Sequence, residues 1–142
     1  MITPVIVVDS SVIIKWLSVD KEKHLEEADR ILKDAQNGKA VLISSELAKY
    51  EVGNVLLFSK KLSSEQAKIV LTRFYNLPLS FIIESEELAR ETFSLAESLK
   101  ITYYDASFLS LAKKYGATLV TDNIKHQGKT SEIKAIPVSK YK

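Results

Sequence analysis

The sequence contains no cysteine and only two histidines, His24 and His126, which stand far apart. The lack of cysteine excludes disulfide bonds, zinc–thiolate centres and a thiol nucleophile, and the two histidines have no metal-ligand spacing. Long apolar runs are also missing, since none approaches the ~20 residues that span a bilayer. The N-terminus lacks a basic segment followed by a long apolar stretch. We therefore predict no signal peptide and no membrane association, and we expect a cytoplasmic protein.

The composition indicates one folded domain covering residues 1–142. Hydrophobic residues make up 46% of the chain and charged residues 27%, which is enough apolar surface for a single packed core and argues against wholesale disorder. The formal net charge is only +2. This balance neither indicates nor excludes nucleic-acid binding, because a local patch does not show in the average. A solvated surface is the simpler explanation of the basic tail, which contains Lys125, Lys129, Lys134, Lys140 and Lys142.

The first apolar run, residues 4–8, ends at Asp9. Its consecutive β-branched residues predict a strand that is buried on both faces. Burying a carboxylate at the end of such a strand costs free energy unless a neighbouring group neutralises its charge. Open α/β sheets bind ligands at the carboxyl ends of their strands. We therefore predict that Asp9 is the first ligand of a metal site. The alternative is that Asp9 only caps the following helix.

Strands and helices alternate along the rest of the chain. Further strands are predicted at 40–43, 81–83 and 117–121, with a possible fifth at 135–138. Helical patterns cover 12–17, 20–36, 46–60, 85–99 and 105–114, and another helix runs from 63 until Pro78 breaks it. No hairpin dipeptide joins neighbouring strands, so the connections must be crossovers. The pattern predicts an α/β sandwich with a mainly parallel sheet of four or five strands.

Three further acidic residues do not look like ordinary surface charges. Glu51 falls on the helix face formed by residues 47, 51, 54, 55 and 58, which is otherwise apolar apart from Asn54. Asp105 opens a predicted helix, and Asp122 follows the fourth strand. Each has a simpler explanation: an ion pair for Glu51, a helix cap for Asp105 and a turn for Asp122.

The joint placement of Asp9, Glu51, Asp105 and Asp122 is more informative than any one of them. Like charges that crowd together repel by several kcal/mol, roughly, at an intermediate dielectric, and a divalent cation removes that penalty. Oxygen-only ligands suit Mg²⁺ or Mn²⁺ rather than zinc or copper. Such an acidic site activates water and orients a phosphodiester, with one ion or two. We therefore predict that these four residues are both the metal ligands and the catalytic groups.

Four segments then carry a family resemblance. The sequences VVDSSV at 7–12, YEVGNVL at 50–56, YYDAS at 103–107 and LVTDN at 119–123 resemble, in order and over nearly the full chain, the four landmarks of a PIN domain. The chain is most similar to VapC-type toxin ribonucleases of toxin–antitoxin pairs. The resemblance implies a three-layer α/β sandwich and Mg²⁺- or Mn²⁺-dependent cleavage of RNA. It also implies a homodimer, and an antitoxin protein whose tail enters the acidic groove.

The resemblance also assigns roles to individual residues. Asp9, Glu51 and Asp105 would be the acidic ligands, and Ser11 would orient Asp9 by hydrogen bonding. Asn54 and Thr121 would position the ligands without contacting the metal themselves. The last segment departs from the family pattern, in which the acid often stands two places after the threonine. Asn123 occupies that place here, and the acid is Asp122. Either Asp122 supplies the fourth ligand, or Asn123 binds through its carbonyl or a water.

Other functions remain open at this point. An aspartyl phosphohydrolase usually carries Asp-x-Asp after its first strand, where this chain has Ser11. A phosphoacceptor signalling domain would need paired acids after the first strand and an Asp after the middle strand, and neither is evident. A PIN-like scaffold that binds RNA or protein but has lost its chemistry is the main alternative, and Asn123 is the observation that favours it.

Overall fold

Five short strands form one parallel sheet in this computed structural model, which describes residues 2–17, 22–59, 61–124 and 129–142. The predictions that fall on Lys125 and His126 lie outside these residues. The strand order is β3-β2-β1-β4-β5, and every neighbouring pair is parallel. This confirms the predicted α/β class and the fifth strand. The strands are β1 (Val5–Val8), β2 (Val41–Ser45), β3 (Leu79–Ile82), β4 (Thr118–Thr121) and β5 (Ala135–Pro137).

Helices cover both faces of the sheet. The chain steps from β1 to β2 to β3 in one direction and then returns past β1 to β4, so right-handed crossovers place α1–α4 on one face and α5–α6 on the other. The packing agrees: α1 contacts α2, α3 and α4, whereas α5 lies along α6, which rests on β1, β2 and β4. The predicted three-layer sandwich is confirmed. The helices are α1 (Ser10–Leu17), α2 (Leu25–Gln36), α3 (Leu47–Phe58), α4 (Ser64–Tyr75), α5 (Glu86–Leu99) and α6 (Tyr103–Tyr115).

The central strand β1 explains why the first apolar run has no polar alternation. Val7 pairs with Ile43 of β2 on one side and with Leu119 of β4 on the other. Val7 and Val8 are fully buried, because helices cover the strand from above and below. None of the described helices is both long and apolar enough to cross a bilayer.

The strand order also defines a topological switch point between β1 and β4. The crossovers after β1 and β4 leave the sheet in opposite directions, and ligands of open α/β sheets bind outside the carboxyl ends of strands at such a switch point. Asp9 directly follows β1, and Asp122 directly follows β4. The topology therefore brings these two residues, 113 positions apart in the numbering of the chain, to the same edge of the sheet.

The predicted inward face of α3 is wrong. The buried residues are Ala48, Val52 and Leu56, whereas Phe58, assigned to the inward face, is 74% exposed. The helix is apolar on most of its circumference, so hydrophobic periodicity does not single out one face. Glu51 consequently lies on the flank of the buried stripe and not within it.

Candidate functional site

Asp9 is almost completely buried and is held by neutral donors. Its Oδ1 accepts hydrogen bonds from the Ser11 backbone N (3.1 Å) and from Ser11 Oγ (2.5 Å), and its Oδ2 accepts one from Thr121 Oγ1 (2.5 Å). The bond from Ser11 N caps α1, so Asp9 does act as a helix cap, as the alternative interpretation predicted. Burial raises the pKa of Asp9, and the hydrogen bonds from Ser11 and Thr121 oppose that rise only in part. A nearby cation would relieve the cost of this buried charge.

The two hydroxyl groups also fix the loop after β4. Ser11 Oγ accepts a hydrogen bond from Asp122 N (3.0 Å), and Thr121 Oγ1 accepts one from Asn123 N (2.8 Å). Because a backbone amide only donates, each hydroxyl must direct its own hydrogen to Asp9. This arrangement suits an ionised Asp9 carboxylate, which only accepts hydrogen bonds.

Glu51 reaches the same place from α3. Its Oε1 accepts a hydrogen bond from Ser10 Oγ (3.1 Å), so the first residue of α1 joins the two helices. Partial burial raises the pKa of Glu51, and the negative charges of Asp9 and Asp105 raise it further, against the hydrogen bond from Ser10. Charges act on one another in this way only when they lie close together, so the three carboxylates share one region.

Asp105 lies in the first turn of α6 and is not the helix cap. The helix begins at Tyr103, two residues earlier than predicted, and Thr102 caps it by accepting a hydrogen bond from Asp105 N (3.0 Å). The cap explanation for the Asp105 carboxylate is therefore wrong, because a threonine upstream already performs that role.

Asp122 is paired with Lys15 of α1, a contact that the sequence alone did not predict. Its Oδ2 lies 2.9 Å from Nζ of Lys15, whose side chain is 1% exposed. The same ammonium contacts Glu22 Oε1 at 3.1 Å and donates to the Lys23 carbonyl at 2.6 Å. An ammonium has three hydrogens to donate, so Lys15 can contact these three acceptors at the same time. The available signal was a lysine inside the otherwise apolar segment of α1, between Ile14 and Trp16.

The remaining predicted residues border the site. Asn54 and Asn123 are both exposed. Asn54 lines an open cleft of about 300 Å³ together with Leu47, Tyr50, Glu51 and Tyr104. This cleft lies on the α3 side of the carboxylates, and its two tyrosines were not predicted as site residues.

The donor chemistry fits a hard divalent cation. Asp9, Glu51 and Asp105 supply oxygen atoms only, and burial raises the pKa of two of them. Within the described ranges, no three His, Cys, Asp or Glu side chains already stand where they would jointly hold a metal ion. A closed shell is not required, because Mg²⁺ typically keeps several waters and uses one or two carboxylates.

A family model for the PIN domain matches residues 6–129. The chain belongs to the PIN domain family. Ribonuclease VapC3 of Pyrobaculum aerophilum is 32% identical over 120 residues, which cover 82% of this chain and 87% of that relative. The resemblance inferred from the four sequence segments is thereby confirmed at the level of the family, and a VapC ribonuclease is among the relatives.

Solved structures of toxin–antitoxin complexes share the fold of this PIN domain. VapBC2 from Rickettsia felis, bound to a promoter DNA fragment, superposes with a TM-score of 0.73 at 22% identity, over 94% of this chain and 98% of that one. DNA-bound VapBC from Salmonella typhimurium gives a TM-score of 0.72 at 17% identity, over 95% and 98%. At such identities, the likeness establishes the architecture alone.

Proposed function

We propose that this PIN domain is a metal-dependent ribonuclease and the toxin of a toxin–antitoxin pair. The observation that carries the proposal is the grouping of Asp9, Glu51 and Asp105 at the carboxyl edge of the sheet, with Asp9 and Glu51 destabilised as charges by burial. Membership of the PIN family and the similarity to ribonuclease VapC3 support the reaction class.

Asp9, Glu51 and Asp105 would hold Mg²⁺ or Mn²⁺. When bound, such an ion lowers the pKa of a water molecule and neutralises charge on a phosphodiester. The protein's own part is positional: Ser11 and Thr121 fix both oxygens of Asp9, and the first turn of α1 fixes Glu51. Hydrogen bonds of this kind tune ligands even though their donors do not touch the metal.

Asp122 stays a predicted fourth ligand, and its ion pair with Lys15 counts against that role. A carboxylate with a buried ammonium at 2.9 Å already has a positive partner, and an ion pair and a metal would compete for the same oxygen. Asn123, held by its backbone to Thr121, is the alternative. In the proposal that the geometry favours, three carboxylates bind the ion and Asp122 anchors the loop.

The proposed partners follow from the proposed role. RNA is the proposed substrate and an antitoxin is the proposed inhibitor. The proposed location is the cytoplasm, where this protein would encounter both of them. Strongly exposed apolar side chains on α3 and α4 suit a protein partner or a second copy of the chain, and this supports the predicted antitoxin and homodimer. They include Leu57, Phe58, Ile69 and Tyr75.

The proposal is tested with single-stranded RNA, purified protein and Mn²⁺, with and without EDTA. We expect cleavage that EDTA stops and that Asp9→Asn, Glu51→Gln and Asp105→Asn each abolish. Asp29→Asn, a matched change at an exposed acid of α2, serves as the control and should cleave normally. Undiminished cleavage by Asp9→Asn would overturn the site, and RNA binding without cleavage by the wild type would favour the scaffold.

A further inference from the structure

Two exposed tyrosines border the cleft beside Glu51. Leu47, Tyr50, Glu51 and Asn54 lie on one face of α3, at helical spacings of three and four residues, and Tyr104 faces them from the first turn of α6. Tyr50 is 72% exposed and Tyr104 is 60% exposed. Aromatic side chains are usually buried over most of their surface, so two open rings at a single concavity require an explanation.

The position of the cleft ties it to the carboxylates. Glu51 belongs to both, since it lines the cleft and accepts a hydrogen bond from Ser10, the residue that follows Asp9. Tyr104 immediately precedes Asp105 in the chain. A polymer whose phosphate lies at the carboxylates would therefore place its adjoining group in the cleft.

We propose that this cleft binds one unpaired nucleobase of single-stranded RNA, next to the phosphodiester that is cut, and that Tyr50 and Tyr104 stack on it. The inference deepens the proposed function and rests on it. Aromatic stacking is the common way in which proteins hold unpaired bases. Leu47 supplies an apolar wall, and the Asn54 amide, with both donor and acceptor atoms, can pair with the polar edge of a base.

The dimensions of the cleft favour a base over a folded partner. About 300 Å³ is at the lower end of the range for small-molecule sites, which suits one planar ring system. A partner helix requires an extended groove with anchors over several turns. The Glu51 and Asn54 side chains instead give the cleft polar groups on one wall.

The experiment uses an RNA oligonucleotide whose Mn²⁺-dependent cleavage site has been mapped, with single nucleotides replaced in turn by abasic ones. Tyr50→Ala and Tyr104→Ala should each raise KM, and weaken binding measured by anisotropy in Ca²⁺, by about five- to 150-fold. Tyr50→Phe and Tyr104→Phe keep the ring and should stay near wild type. An abasic nucleotide at one position beside the cleaved bond should weaken RNA binding by the wild type. The same abasic RNA should bind the alanine variants almost as well as the intact RNA does.

Tyr115→Ala is the matched control, since Tyr115 is an exposed tyrosine at the opposite end of α6; its KM should be unchanged. If both alanine variants keep the wild-type KM and the same abasic penalties, the stacking site is overturned and the cleft is left to a protein occupant, such as an antitoxin tail. Wild-type protein that does not cut RNA would instead overturn the proposed function itself, and this inference with it.

Discussion

Replacing Lys15 with methionine should destabilise the protein measurably. The change removes the ammonium but keeps an unbranched side chain of similar length. Lys15 is 1% exposed, and its ammonium contacts Asp122, Glu22 and the Lys23 carbonyl. Through these contacts it joins α1 to the loop after β4 and to the segment before α2.

The magnitude follows from the exposure of the partners. Breaking a buried ion pair costs about 3–5 kcal/mol when the remaining charge stays buried. Here Asp122 is 39% exposed and Glu22 is 24% exposed, so both carboxylates regain hydration, and the variant no longer buries an ammonium. We therefore expect a loss of about 2 kcal/mol, which for a domain of this length lowers Tm by roughly 6–8 °C.

Thermal unfolding in EDTA measures this loss without interference from a bound metal. Lys113→Met is the matched control: Lys113 lies 2.7 Å from Glu91, yet both side chains are well exposed, and surface pairs of this kind contribute little. Lys15→Met should therefore lower Tm clearly more than Lys113→Met. Equal Tm values for the two variants would show that the buried ammonium does not secure the loop. A double mutant with Asp122→Asn should lose less than the sum of the single losses.

Three further predictions concern the carboxylates. In metal-free protein, the raised pKa of Asp9 means that the folded state binds more protons than the unfolded state above about pH 4. Asp9 therefore lowers the free energy of unfolding as the pH rises from about 4. Denaturant unfolding in EDTA should show Asp9→Asn gaining stability relative to wild type between pH 4 and 7. Mn²⁺ should stabilise the wild type in thermal melts, by about 2.7 kcal/mol at a concentration of 100 Kd, and should not stabilise Asp9→Asn. Thr121→Val removes a hydroxyl donor to Asp9 and should weaken Mn²⁺ binding, measured calorimetrically, by about 10- to 100-fold.

Each of these predictions has a result that contradicts it. A constant stability difference between Asp9→Asn and wild type across the pH range would show that Asp9 is not destabilised as a charge. Equal Mn²⁺ stabilisation of wild type and Asp9→Asn would place the ion elsewhere. Unaltered Mn²⁺ affinity in Thr121→Val would mean that the hydroxyl does not position the carboxylate, and Thr130→Val, an exchange at a threonine outside the site, is the control.

The architecture could be predicted because its signals are local. Runs of β-branched residues marked the strands, and intervening helices without hairpin turns implied crossovers and a parallel sheet. Even the short strand Ala135–Pro137 was anticipated, and it pairs with β4. Asp9 was recognised for the same reason, since a carboxylate that ends a buried strand stands out in the sequence alone.

The errors occurred where one local pattern allowed several tertiary arrangements. In α3, apolar residues on most of the circumference left the buried face undetermined, and contact with the rest of the core selected Ala48, Val52 and Leu56. In α6, Asp105 and Thr102 are both residue types that cap helices, and the helix in the structure begins after Thr102. Intrinsic helix propensities differ too little to select the buried face of α3 or the first residue of α6, so tertiary packing selects them.

The fold class, the parallel sheet and the acidic residues at the strand ends can be predicted from short segments, because periodicity and strand-end position are local properties of the chain. Two features depend on the packing of the whole chain: Lys15 pairs with Asp122, and Tyr50 and Tyr104 border one cleft beside Glu51. These contacts join residues from separate elements of the chain. Their partners are selected by the way the helices pack on the sheet, which no local pattern records.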